Sequence, residues 1–209
     1  RLIEAGAPLK VLTPVRMFLR LAGALVLVIV VALMLADARH LIPADASCRE
    51  GKWEKSKFMG TEITGKTLGL IGAGNIGSVV AARAIGLKMK VIAYDPFLSA
   101  ERAQALGIER IEEVDDLLAR ADIVTLHVPE TPDTKDMIGA EQLGWMQPNA
   151  IFINASRGTV VDIDALAAAL REKRLAGAAI DVFPVEPKSN DEEFVSPLRD
   201  FDNCILTPH

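Results

Sequence analysis

Between two short apolar runs, Leu68–Ile71 and Val91–Tyr94, lies Gly72-Ala73-Gly74-Asn75-Ile76-Gly77, and this glycine spacing restricts the fold more than any other feature. A G-x-G-x-x-G alone arises by chance. Here it sits between a strand pattern and a helix pattern, and Asp95 closes the next apolar run 18 residues after Gly77. That context is what a dinucleotide-binding turn requires. Gly72 permits the tight turn, Gly74 lets the backbone approach a pyrophosphate, and Gly77 lets the helix pack closely on the strand. The helix N-terminus turns its free N–H groups toward the phosphates. Asp95 would accept hydrogen bonds from the adenosine ribose and repel a 2′-phosphate, so the expected cofactor is NAD rather than NADP.

The 209 residues suit one large domain or one and a half small ones, and 50% hydrophobic content allows a sizeable core. A net charge of −5 and the lack of a basic tract give no reason to expect nucleic acid. Residues 1–60 carry 9 Lys/Arg against 5 Asp/Glu, whereas residues 61–209 carry 14 against 23. An anionic substrate would therefore need a local cation in the second part. Cys48 and Cys204 form no metal-type pair and read as reduced thiols of a cytoplasmic protein. No metal is expected.

Leu21–Ala36 is an uninterrupted run of sixteen apolar or glycine residues, with Arg16 and Arg20 before it and Asp37 and Arg39 after it. Its length falls between a core helix and a membrane span of ~20 residues, and its flanks imitate a signal peptide. A buried helix, in the core or at a subunit interface, is the leading expectation. A membrane or export segment is the alternative, and the chemistry opposes it: an NAD-dependent domain outside the cytosol would lack its cofactor.

Residues 41–66 read as a short helical and linking piece, with Pro43 in a first turn and Gly51 as a stop. Beyond them strands are expected at 67–71, 90–94, 122–126, 150–153, 177–181 and 203–206. Helices are expected at 75–86, 99–106, 112–119, 139–145 and 162–173, the last capped by Asp162. Alternating strands and helices predict an α/β fold, a Rossmann-type doubly wound parallel sheet. The division expected is an apolar helix and connecting arm over 1–60 and a dinucleotide-binding domain over 61–209.

Ligands of such sheets gather at the carboxyl ends of the strands. The glycine turn follows the first strand, Asp95 the second, and His127-Val128-Pro129 the strand at 122–126. Asn154-Ala155-Ser156-Arg157-Gly158 follows 150–153, Asp181 and then Glu186 follow 177–181, and Thr207-Pro208-His209 ends the chain. Arg157, Glu186 and His209 thus converge on one rim. That trio suits hydride transfer at a carbon bearing a hydroxyl beside a carboxylate. Arg157 can hold the carboxylate with two prongs, His209 can take the hydroxyl proton, and Glu186 can orient the imidazole. Taken singly, each has a plainer reading: a surface ion pair, a loop acid, an exposed chain end. The backbone of His127 is expected to line the cofactor cleft.

The segments Asn154–Gly158 with Val161-Asp162, Gly177–Phe183 through Glu186-Pro187, and Thr207-Pro208-His209 together resemble the D-isomer-specific 2-hydroxyacid dehydrogenases. The resemblance runs from about Gly51 to His209. It implies that Arg157, Glu186 and His209 are the catalytic Arg, Glu and His. It implies that Gly72, Gly74, Asn75, Ile76, Gly77 and Asp95 bind NAD, with His127, Val128, Pro129, Ala155, Ser156 and Arg157 along the cofactor, and that Asp181 lies near the nicotinamide carboxamide. The substrate implied is a small anionic 2-hydroxy or 2-keto acid, first a phosphorylated glycerate, with lactate, glyoxylate or hydroxypyruvate as alternatives. A non-catalytic NAD-sensing protein is a third reading. A homo-oligomer, dimer or tetramer, is expected. With no Met at its start and no helix after His209, the chain is expected to be a fragment that lacks most of the family's substrate domain and turns over little alone.

Overall fold

The computed structural model describes residues 28–209. The first part of the apolar run, 21–27, lies outside the described residues. Residues 28–38 are helical (α1), followed by α2 (Leu41–Arg49). One stripe of α1 is buried: Val30, Leu33, Met34 and Ala38 are at most 3% exposed, while Val28 is 64% exposed. That is the one-sided burial of a helix lying on a sheet. Among the described residues no helix is long and apolar enough to cross a membrane.

Seven strands and five further helices follow. They are β1 (Thr67–Ile71), α3 (Asn75–Gly86), β2 (Lys90–Tyr94), α4 (Ala100–Leu106), β3 (Glu109–Ile111), α5 (Val114–Arg120) and β4 (Ile123–Leu126). Then come α6 (Ala140–Trp145), β5 (Ile151–Asn154), α7 (Ile163–Arg171), β6 (Gly177–Ile180) and β7 (Cys204–Leu206). The sheet order is β3-β2-β1-β4-β5-β6-β7 and every neighbouring pair is parallel. This is the doubly wound order, and its switch point lies between β1 and β4.

Side chains of successive strand residues divide between two cores. Leu68, Leu70, Ile123, Ile151 and Ile153 face α1, α3 and α4. Ile71, Val124, Leu126 and Phe152 face α5, α6 and α7. Strands buried on both faces read as continuous apolar runs, which is why they were legible. Phe152 is fully buried at the centre, where truncation to alanine costs about 3–5 kcal/mol. Local chemistry fixes the ends of elements. Asp162 caps α7 by accepting from the Ala165 amide at 3.0 Å, and Ser99 caps α4 by accepting from Arg102 at 3.1 Å, each worth about 1 kcal/mol. Asp122 ties the starts of β1 and β4, accepting from the Thr67 amide at 2.8 Å and Lys66 Nζ at 2.9 Å.

β3 was not anticipated. It is an edge strand of three residues, of which only Ile111 is buried, too short for a periodicity to register. Another departure from simple patterning is Asp37, which continues the buried stripe of α1. It is 7% exposed, its Oδ2 has no hydrogen-bond partner among the described residues, and a Cβ on Gly177 would lie 2.6 Å from its Oδ1. The bare glycine at the start of β6 makes room for the acid. Burial pushes its carboxyl up to about 7.

Candidate active site

The turn between β1 and α3 depends on glycine at two positions for steric reasons. Gly72 has φ +98°, and a Cβ there would lie 2.6 Å from the His127 carbonyl oxygen. A Cβ on Gly77 would run into the Gly72 carbonyl. Gly74 is different: a Cβ on it would meet nothing within 4 Å among the described residues. It heads α3, whose first turn (Asn75, Ile76, Gly77) receives no side-chain cap. Amides at the start of a twelve-residue helix without a side-chain cap, next to the open space at Gly74, fit the pyrophosphate of a dinucleotide.

Asp95 ends β2 beside this turn. Its Oδ2 accepts from the Ala73 amide and its Oδ1 from the Phe97 amide, both at 2.8 Å. The carboxylate is therefore pinned to the glycine turn, with lone pairs to spare for sugar hydroxyls. Across the turn, His127 donates its amide to the Ile71 carbonyl at 2.8 Å, and its Nε2 lies 3.2 Å from Thr125 Oγ1. Burial pulls this imidazole down to about 4, so it is neutral at physiological pH. Val128 and Pro129 continue from it along the rim, and Val128 Cγ1 lies on the Gly72 side.

After β5 the chain is organised by a buried side chain that sequence reasoning had noted only as part of the segment. Asn154 is fully buried; its Nδ2 donates to the Arg157 carbonyl, and its Oδ1 accepts from the amide and the hydroxyl of Ser156, each at 3.0 Å. Ala155 and Ser156 are buried, whereas Arg157 is exposed and donates from Nη1 to the Ser156 carbonyl at 2.6 Å. Gly158 packs so closely on Phe183 and Pro184 that a Cβ would collide with their backbone. This contact brings the loop after β5 against the loop after β6.

There Glu186 Oε1 accepts from the Phe183 amide at 3.1 Å, and Oε2 lies 3.3 Å from Nδ1 of His209. Arg157, Glu186 and His209 line one open pocket of about 290 Å³ together with Glu130 and Thr159. Glu130 had not been singled out, although it directly follows Pro129 on the same rim. A second pocket of about 460 Å³ shares Phe183, Glu186 and His209 and extends past Lys188 to Phe194. Asp181, at the end of β6, is buried and accepts from Thr207 Oγ1 at 2.6 Å. No group of three or more His, Cys, Asp or Glu among the described residues could hold a metal ion.

A cation, an imidazole and a carboxylate facing one pocket can bind a carboxylate, exchange a proton and orient the ring that exchanges it. Comparison with known proteins identifies the family. The model of the D-isomer specific 2-hydroxyacid dehydrogenase, NAD binding domain, matches residues 31–209. The D-3-phosphoglycerate dehydrogenase of Synechocystis is 48% identical over 178 residues, 85% of this chain and 31% of that protein. That of Escherichia coli K12 is 47% identical over 182 residues, 87% of this chain and 43% of that protein. Among solved structures, D-lactate dehydrogenase with NAD+ from Lactobacillus jensenii superposes with a TM-score of 0.78 at 30% identity, covering 96% of this chain and 60% of that one. The chain thus spans less than half the length of these two curated relatives. Fold, glycine turn and family match lead to one conclusion: this chain belongs to the D-isomer-specific 2-hydroxyacid dehydrogenases and carries their NAD-binding domain.

Proposed function

We propose that this chain is the cofactor-binding part of a D-3-phosphoglycerate dehydrogenase, which oxidises 3-phospho-D-glycerate to 3-phosphohydroxypyruvate in serine biosynthesis. The observation that carries the reading is the shared pocket of Arg157, Glu186 and His209. The relatives that bear the name, at 48% and 47% identity, support the choice of acid. In this reading Arg157 holds the substrate carboxylate and polarises the adjacent C–O bond. With Nδ1 of His209 turned to Glu186, Nε2 is left to take the hydroxyl proton. Glu186 fixes the orientation of the ring through this contact. NAD bound there would supply the acceptor for the hydride of the same carbon. Gly72, Gly74, Asn75, Ile76, Gly77 and Asp95 hold its pyrophosphate and adenosine end. His127, Val128, Pro129, Ala155, Ser156 and Asp181 follow it toward the reacting carbon.

The same reading makes residues 1–60 a helix and connecting arm, residues 61–209 the cofactor domain, and the protein a cytoplasmic homo-oligomer. The structural likeness to a D-lactate dehydrogenase keeps an unphosphorylated acid as the second reading. Steady-state oxidation of 3-phospho-D-glycerate, D-lactate and D-glycerate, followed by NADH absorbance in the full-length protein, separates the two. A kcat/KM highest for the phosphorylated acid is expected. Preference for lactate overturns the assignment, and NAD binding with no turnover of any acid points to the sensing role instead.

A further inference from the structure

At the amino ends of the strands, the end of the sheet opposite the glycine turn and Arg157, lies a cavity of about 150 Å³. It forms where the chain enters β1, β4, β5 and β6 and where the last turn of α1 packs on those entries. Asp37 lines it from that last turn; it is 7% exposed, and its Oδ2 has no hydrogen-bond partner among the described residues. A buried carboxylate in its ionised form is costly unless a cation or a donor meets it. The carbonyl end of a helix adds negative potential at the same place. The other charges of the wall answer one another. Lys66 Nζ donates to Asp122 Oδ1 at 2.9 Å, and Asp122 Oδ2 accepts from the Thr67 amide at 2.8 Å. Two carboxylates against one ammonium leave one negative charge, and His40, also at the wall, adds none while neutral.

Size and lining narrow the cation. Pockets for drug-sized ligands measure roughly 300–1,000 Å³, so this one admits only a few heavy atoms. No three His, Cys, Asp or Glu among the described residues are grouped to hold a metal ion. Thr61 and Asn149 offer oxygens that can accept from N–H groups, and Ile63 and Ile151 offer apolar wall to a short chain. We propose that this cavity binds a small primary alkylammonium ion, its charge on Asp37 and its alkyl chain on Ile63 and Ile151. The site stands apart from the hydride-transfer pocket and is independent of the cofactor reading above.

NMR titration of the nitrogen-15-labelled chain at pH 8, where Asp37 is largely ionised, tests this. Propylammonium is expected to shift the amide signals of Ala38, Ile63 and Ala176 saturably, with a Kd on the order of 1 mM for so few heavy atoms. Tetramethylammonium, which has the charge but no N–H, and glycine, which adds a carboxylate, are expected to bind at least tenfold more weakly. Asp37→Asn is expected to weaken propylammonium tenfold or more, the scale of one hydrogen bond to a charged group. Ala176 is exposed at the wall, so Ala176→Leu narrows the cavity with Asp37 in place. It is expected to weaken binding as well and keeps the test decisive if Asp37→Asn does not fold. Affinity unchanged in either folded variant, tetramethylammonium or glycine binding as tightly as propylammonium, or no saturable shift at all overturns the proposal.

Discussion

Oε2 of Glu186 lies 3.3 Å from Nδ1 of His209, across 23 positions of sequence. The contact exists because β6 and β7 lie side by side and parallel, so that the segments leaving them, which carry Glu186 and His209, meet at one rim. If the imidazole moves the substrate proton, His209→Ala lowers turnover by ~10²–10⁴-fold. Glu186→Gln keeps a hydrogen-bond acceptor but loses the charge, and a smaller fall in kcat at unchanged NADH affinity is expected. Stopped-flow hydride transfer checks both, and unchanged rates in His209→Ala would remove it from the mechanism.

The two halves of the glycine turn should fail differently. Gly77→Ala puts a methyl into the Gly72 carbonyl, and the helix must shift; lower thermal stability and lost NADH binding are expected together. A methyl on Gly74 finds nothing within 4 Å among the described residues, so the melting temperature of Gly74→Ala should stay near that of the parent. Its NADH affinity should still fall tenfold or more, on the order of 1.4 kcal/mol, because the methyl stands where the pyrophosphate approaches. Calorimetric melting beside fluorescence titration decides this; equal losses of stability in both variants would refute it.

Asp95 is held to the Ala73 and Phe97 amides, so its charge is fixed beside the glycine turn. Preference for NADH over NADPH is expected in the unmodified protein, and Asp95→Ala should narrow it while weakening both. Direct titration of each cofactor is the check. Equal affinities before mutation would show that the acid does not read the 2′ position.

Asp37 makes stability depend on pH. Its folded pKa is raised to about 7 from a reference of 3.8, so the folded state binds the proton more tightly than the unfolded state. The stabilisation is full below about pH 4, declines as pH rises, and is gone above about 7, a change of up to roughly 4 kcal/mol. Asp37→Asn cannot titrate. The difference in melting temperature between Asp37→Asn and the parent should therefore move in favour of the variant from pH 5 to pH 8. A difference independent of pH would mean that the carboxyl is solvated. His127, pulled down to about 4, acts in the opposite sense and loses its contribution as pH falls from about 6.5; it cancels in this comparison.

Much of the fold was legible because strands buried on both faces spell themselves as short apolar runs. Leu68–Ile71, Val91–Tyr94 and Ile151–Ile153 do so, and Asp162 announces the start of α7. β3 was not, since Glu109-Arg110-Ile111 at the sheet edge buries one side chain and needs no pattern. Asn154 stood in view as a letter of its segment. Its role in folding the Arg157 loop depends on three hydrogen bonds that no spacing encodes.

By itself, the sequence determined the cofactor class and, apart from β3, the order of strands and helices from β1 onward. A glycine turn between strand and helix is a local steric requirement, written in adjacent residues. The tertiary structure alone decided which distant groups meet. Arg157, Glu186, His209 and the unanticipated Glu130 share a pocket because parallel strands bring every carboxyl end to one rim, and because one glycine lets two loops touch. It also decided which acids are held and how. Asp95 is clamped to the turn, Asp181 accepts from the Thr207 hydroxyl, and Asp37 is buried against Gly177, where the low-polarity surroundings favour its proton. Burial and hydrogen bonding are properties of neighbours in space, and the order of residues along the chain does not state them.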